Sequence, residues 1–147
     1  MSDTPTPTPS EPGPSTEAPG WRDEYAIGHP KVDQEHRQFF GLVQAYSRGC
    51  RQGLDRDAMI DILEEILLFG RFHFRSEENV MRALGFEGLP AHRELHRQLI
   101  ERLGRMIVGV KLGRYKPAEV EEFLVKWLVR HVGHEDARIM GGDGSRA

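Results

Sequence analysis

The sequence predicts an all-α protein: an up-down-up-down antiparallel four-helix bundle with a disordered N-terminal tail. Four stretches repeat apolar residues at the three- and four-residue intervals of an amphipathic helix, and short segments rich in glycine or proline separate them. No stretch alternates apolar and polar residues with the period of two that is typical of a strand. Helices joined by such short connections pack as antiparallel neighbours, which favours the bundle.

The two ends of the chain differ in composition from the rest. Residues 1–20 contain six of the nine prolines. Because a segment of this kind cannot bury enough apolar surface to fold, we predict a disordered tail there. Trp21 opens the predicted folded domain, which spans residues 21–140, and residues 141–147 form a flexible C-terminal tail.

Capping residues set the expected bounds of the first two helices. The first predicted helix starts near Asp33, whose side chain is a good N-cap, and ends before Gly53. The second starts near Asp55 or Asp57 and runs to Ala83, just before the glycine at position 85. Its roughly 28 residues would span about 40 Å at a rise of about 1.5 Å per residue.

Prolines mark the starts of the third and fourth helices, because proline suits the first turn of a helix. The third runs from about Pro90 to Leu112, and the fourth runs from Pro117 until it fades by Met140. The expected inner stripe of the third helix is Leu95, Leu99, Leu103, Met106 and Val110. The expected inner face of the fourth is Val120, Phe123, Leu124, Trp127 and Leu128.

The composition argues against several classes of function. A chain of 147 residues suits one domain with its own core. The net charge is -3 and the basic residues are scattered, which argues against nucleic-acid binding. No run of about 18 apolar residues exists that could insert into a membrane. Cys50 is the only cysteine, which favours a reducing cytoplasm, and outer faces rich in arginine and glutamate favour a monomer.

Side chains that can bind metals recur on all four predicted helices. They are His36 on the first, His73 and Glu77 on the second, His92 and His96 on the third, and His131 with Glu135 or Asp136 on the fourth. A separation of four residues is a rotation of about 40°, so the pairs on the second and third helices each share a face. Seven ligands exceed the four of tetrahedral zinc and suit two metals bridged by carboxylates. Imidazole with carboxylate favours iron, manganese or zinc.

Each of these residues also has an ordinary structural interpretation. Taken alone, His73 between two phenylalanines reads as a core histidine, and Glu78 beside Glu77 reads as part of a solvated face. His29 reads as a loop residue and His134 as a surface residue. Accidental placement of compatible residues on four helices is the less plausible alternative, so we predict a metal centre.

The fourth helix leaves one ligand open. On an ideal helix Glu135 follows His131 by four residues and lies on nearly the same face, whereas Asp136 lies about 140° away. A local π-turn would bring Asp136 round, and such turns cluster at functional sites. Spacing alone therefore leaves both carboxylates as candidates.

Four motifs lie between Trp21 and about Met140: VDQEH, HFRSEENVM, HRELH and WLVRHVGHED. Together they resemble the hemerythrin family, in particular its bacterial single-domain members. This resemblance implies that His92, His96 and His131 bind one iron, that His36 and His73 bind another, and that Glu77 and Asp136 bridge both. The iron with fewer ligands would keep a position open for O2.

The resemblance implies reversible binding of O2 at a non-haem di-iron centre with carboxylate and oxo or hydroxo bridges. The expected role is oxygen storage, transport or delivery to an oxygen-consuming enzyme, without catalysis by this chain. The expected apolar wall of the O2 pocket is Phe74, Trp127, Leu128 and Val132, which could equally be plain bundle core.

Three alternatives accompany this prediction. A di-iron oxidase of the ferritin-like kind uses Glu-x-x-His pairs, and no such pair occurs here. An oxygen or redox sensor would have to act through a separate partner, because the chain shows no output domain. A metal store without oxygen chemistry is the third alternative, and the residue types alone do not reject it.

Overall fold

The computed structural model describes residues 18–132, and within that range the prediction of an all-α four-helix bundle is confirmed. The helices are α1 (Pro30–Gln52), α2 (Arg56–Ala83), α3 (Leu89–Lys111) and α4 (Pro117–Arg130), preceded by a short 3-10 helix at Asp23–Tyr25. None of the described helices is long and apolar enough to cross a membrane. The first 17 residues of the predicted tail at 1–20, the predicted tail at 141–147 and the predicted end of the fourth helix at Met140 lie outside the described residues.

Contacts between the helices show that neighbours run in opposite directions. Near the C-terminal end of α2, Glu77 meets His36 at the start of α1 and His92 at the start of α3. Near the N-terminal end of α2, Glu64 accepts a hydrogen bond from Lys111 at the end of α3. The residues expected to bind metal are therefore gathered at one end of the bundle.

Helix α1 starts three residues earlier than predicted, at Pro30, and Asp33 is not its N-cap. The cap is His29, which we had assigned to a loop, and its Nδ1 accepts from the N–H of Val32 at 3.4 Å. The carboxylate of Asp33 instead accepts hydrogen bonds from the backbone of residues 27 and 28. Proline at the first helical position lacks an N–H that would need a partner, and this favours the earlier start.

The other helix starts lie close to the predicted ones. Asp55 caps α2 by accepting from the N–H of Ala58 at 2.8 Å. Helix α2 ends at Ala83 as predicted, α3 begins one residue before Pro90, and α4 begins at Pro117 as predicted.

The prediction for the inner stripe of α3 is partly wrong. Leu103 and Val110 are buried, but Leu95, Leu99 and Met106 are only partly buried. These three line an open groove of about 530 Å³ between α3 and α4, two helices whose backbones approach each other at few points. The groove reaches inward as far as Trp127 and His131.

Packing at the N-terminal side begins before Trp21. Ala18, which we had placed in the tail, is buried, and its N–H donates to Oγ of Ser47 on α1 at 3.0 Å. Trp21 then packs edge-on against Phe40, with ring centroids 5.7 Å apart. The segment is therefore held against α1 by one backbone hydrogen bond and by aromatic packing.

Candidate metal centre

The structure brings six of the seven predicted ligands together in the interior. They are His36, His73, Glu77, His92, His96 and His131, and each is at most 7% exposed. Their donor atoms form two groups that share Glu77, and within each group the donors lie within 4.8 Å of one another. The seventh predicted ligand, Asp136, lies outside the described residues, as do Glu135 and His134.

One carboxylate oxygen of Glu77 faces three histidines. Its Oε1 lies 3.0 Å from Nε2 of His92, 3.2 Å from Nε2 of His96 and 3.8 Å from Nε2 of His131. The Nε2 atoms of His96 and His131 are themselves 3.3 Å apart. These four residues come from three different helices.

The other oxygen of Glu77 faces two histidines. Its Oε2 lies 3.3 Å from Nε2 of His36 and 3.2 Å from Nε2 of His73. A single carboxylate therefore separates a group of three imidazoles from a group of two.

This donor set fits two metal ions. Donors that share one metal at about 2.1 Å lie about 3.0–3.4 Å apart at tetrahedral or right angles. The His96–His131 separation of 3.3 Å falls in that range, as do four of the five distances from Glu77 oxygens to histidine nitrogens. Five imidazoles around one buried carboxylate would be costly to desolvate without a cation, and metal ions would offset that cost.

The pKa values in the two-histidine group show how strongly Glu77 is held. Burial acts to raise the pKa of Glu77, but hydrogen bonds from the surrounding histidines outweigh it and hold this pKa well below the ordinary 4.5. Burial likewise acts to lower the pKa of His73, but its bonds to Glu35 and Glu77 raise it above 6.5. Glu77 is therefore an ionised carboxylate, the form that can bridge metals.

Glu35, which the sequence analysis did not identify as functional, orients His73 from outside the ligand group. Its Oε1 accepts from Nδ1 of His73 at 3.0 Å, and its Oε2 accepts from Oγ of Ser76 at 2.8 Å. Burial acts to raise the pKa of Glu35, but these two hydrogen bonds lower it overall. With its Nδ1–H donated in this way, a neutral His73 would bind a metal through Nε2.

Glu78 does the same for His96, and its assignment to a solvated face is wrong. It is 7% exposed, and its Oε2 accepts from Nδ1 of His96 at 3.1 Å. Its Oε1 accepts from Nε of Arg93 at 2.9 Å. The only signal in the sequence was the position of each carboxylate directly beside a predicted ligand: Glu35 precedes His36, and Glu78 follows Glu77.

The four residues predicted to wall the O2 pocket line one small cavity beside the histidines. Its lining consists of Phe74, Trp127, Leu128 and Val132 together with Phe39, His36, His73 and His131. Its volume is about 10 Å³. A space of this size is about enough for one water-sized molecule.

Aromatic rings pack around this cavity. Phe74 stacks on His96 with ring centroids 3.9 Å apart and planes 2° from parallel. Trp127 lies edge-on to Phe74, with centroids 5.7 Å apart. The indole Nε1 of Trp127 is buried and has no hydrogen-bond partner within residues 18–132.

The backbone changes from α-helical to π-helical geometry directly after α4, at the predicted ligand His131. Residues 131 and 132 have π-helical geometry, the feature that the sequence analysis required for Asp136. Whether Asp136 or Glu135 completes the site concerns residues beyond those described, and Asp136 stays a prediction that rests on the resemblance.

Comparisons with known proteins agree with the site. The profile of the hemerythrin HHE cation binding domain matches residues 28–141. A bacteriohemerythrin of Pseudomonas aeruginosa is 26% identical over 117 residues, covering 80% of this chain and 76% of that protein. A bacteriohemerythrin of Clostridium acetobutylicum is 27% identical over 121 residues, covering 79% and 94%. A hemerythrin-like protein of Naegleria gruberi is 27% identical over 123 residues, covering 82% and 90%.

With a matching profile over most of its length and buried histidine and glutamate groups that can hold metal, the chain belongs to the hemerythrin family.

Proposed function

We propose that this protein binds O2 reversibly at a non-haem di-iron centre and serves oxygen storage, transport or delivery to an oxygen-consuming enzyme. The observation that supports this most is the position of Glu77 between three histidines on one side and two on the other. A bridging carboxylate with unequal histidine groups leaves one metal with fewer protein ligands, and that metal can accept a small molecule.

The residues have distinct parts in this proposal. His92, His96 and His131 would hold one iron, and His36 and His73 would hold the other. Glu77 and Asp136 would supply the carboxylates between them, alongside an oxo or hydroxo group. When bound, the two irons supply the electrons that O2 binding needs.

Apolar side chains shield the side of the site that faces the small cavity. Phe74 and Trp127 are buried against the histidines, and the cavity beside them has room for about one small molecule. An apolar wall makes the passage of charged species costlier than the passage of neutral O2, so it would favour release of O2 over irreversible oxidation. We therefore propose binding without turnover.

Absorption spectra of the iron-loaded protein test the proposal. We expect the reduced, anaerobic protein to gain a charge-transfer band on exposure to O2 and to lose it when O2 is removed. Glu77→Gln should abolish the band and lower the iron content, because the amide carries no charge to bridge two cations. Glu65→Gln, an exposed glutamate on the same helix, is the matched control and should behave as wild type.

Other outcomes would point elsewhere. A spectral change that does not reverse over successive cycles would contradict reversible binding and favour an oxidase or a redox sensor. A protein that takes up zinc but no iron would contradict the di-iron proposal.

We further propose that the protein works as a cytoplasmic monomer. A single cysteine suits a reducing compartment. Light scattering of the purified protein should give the mass of one chain, and twice that mass would contradict the monomer.

A further inference from the structure

The two carboxylates that orient ligand histidines differ in the side chain that donates a hydrogen bond to them. Glu35 accepts a hydrogen bond from the neutral hydroxyl of Ser76, which is 5% exposed. Glu78 accepts a hydrogen bond from the guanidinium of Arg93, whose side chain is 46% exposed. The positive charge of Lys31 acts on Glu35 through space. The positive charge that acts on Glu78 is carried by Arg93, which donates a hydrogen bond to it directly.

When a cation donates a hydrogen bond to a carboxylate, it changes how strongly that carboxylate increases the electron donation of the histidine bonded to it. A carboxylate that accepts the Nδ1–H of a ligand histidine makes the imidazole a stronger donor to the metal. A charge-assisted bond from arginine draws electron density from that carboxylate, so less reaches the histidine. His73 should therefore be the more strongly supported ligand and His96 the less strongly supported one.

We propose that Arg93 is a positioning residue that acts through Glu78 to limit the electron donation of His96, so that the two halves of the metal centre are electronically unequal. This proposal rests on the two-metal site of the proposed function but not on O2 binding. It connects a partly exposed arginine at the surface to a ligand that is 2% exposed, by way of two hydrogen bonds of 2.9 and 3.1 Å.

The proposal predicts effects of opposite sign for two neighbouring substitutions. Arg93→Gln leaves Glu78 with its full charge, so His96 donates more strongly and Fe(III) is favoured. Glu78→Gln removes that charge, so His96 donates less and Fe(II) is favoured. A role limited to holding the fold would weaken the site in both variants alike.

The first measurement is the midpoint potential of the iron-loaded protein under anaerobic conditions. We expect Arg93→Gln to lower the potential and Glu78→Gln to raise it, each by up to a tenfold change in the Fe(III) to Fe(II) ratio, or about 59 mV for one electron. Arg93→Lys keeps the charge and should stay close to wild type. Arg97→Gln is the matched control, because Arg97 lies one turn along α3 and pairs with Glu94 and Glu101 on the same helix.

Zinc affinity, measured by competition with a chelator, gives a second readout that needs neither iron nor O2. We expect Glu78→Gln to bind zinc about 10–100-fold more weakly than wild type, and Arg93→Gln to bind it at least as tightly as wild type. Shifts of the same sign in both variants, no shift in either, or parallel losses of zinc affinity would overturn the proposal. Irreversible oxidation of a wild-type protein that holds two irons would contradict the proposed function alone, since neither readout involves O2.

Discussion

Phe74 gives the sharpest test of the packing beside the metal centre. Its ring is 3% exposed, lies face to face with His96 and meets the edge of Trp127. Phe74→Ala removes the ring and leaves a cavity. Burial of such a ring contributes about 1.5–3 kcal/mol, and with the cavity the loss in unfolding free energy should reach about 3–5 kcal/mol. For a chain of this size that corresponds to a melting temperature lower by roughly 10–20 °C.

Phe72→Ala is the matched control for this substitution. Phe72 lies on the same helix but is 58% exposed, so less than half of the burial contribution applies and the loss should be about 1 kcal/mol or less. Phe74→Leu keeps an apolar side chain and removes only the aromatic contacts, and it should fall between the two. Chemical denaturation of all variants in excess chelator measures these values without a contribution from bound metal. Equal losses in Phe74→Ala and Phe72→Ala would refute the reasoning.

Three further predictions concern oxidation, thiol reactivity and pH. Trp127→Ala should speed autoxidation of the oxygenated protein by about tenfold, which corresponds to a barrier lower by about 1.4 kcal/mol. Trp21→Ala is the control and should leave the autoxidation rate unchanged. An unchanged rate for Trp127→Ala would contradict the role of Trp127 as a wall of the pocket. Partial burial and a neighbouring carboxylate raise the pKa of Cys50 from 9.0 to about 11, so alkylation by iodoacetamide at pH 8 should run about 100-fold slower than for a small free thiol, and equal rates would contradict the raised pKa. Glu35 and Glu77 have pKa values lowered from 4.5, so their stabilisation is present above about pH 4.5 and is lost as pH falls through the lowered values. Denaturation of the metal-free protein should show this as a decline of up to about 1.4 kcal/mol per pH unit for each carboxylate, and a flat profile below pH 4.5 would contradict it.

Helical spacing explains why much of the fold and the ligand groups could be predicted. Two ligands four residues apart must share a face, so the His73–Glu77 and His92–His96 pairs followed from the sequence once the helices were placed. The start of α2 followed to within two residues, because the sequence offered Asp55 and Asp57 as starts and Asp55 is the cap. These features depend on local geometry alone.

Contacts between helices depend on how each helix is rotated about its axis, and no local pattern gives that rotation. For this reason Glu78 looked like one more solvated acid, although it bonds to His96 on the next helix. The link from Glu35 to His73 joins α1 to α2 and was missed for the same reason. Leu99 was expected in the core but lines a groove, because α3 and α4 approach each other at few points.

The start of α1 shows a different limit. Asp33 and Pro30 are both good signals for a helix start, and the sequence does not rank them. The outcome depended on the preceding loop, whose backbone N–H groups at residues 27 and 28 use the Asp33 carboxylate as their acceptor.

The most direct test of the central claim is the stoichiometry of oxygen uptake by the iron-loaded, reduced protein over repeated cycles of binding and release. We predict two irons per chain and one O2 taken up for each pair of irons, with the same amount recovered when oxygen is removed and the same uptake in the next cycle. Uptake that is not recovered, or a chain that holds a single iron, would contradict a reversible di-iron site built around Glu77.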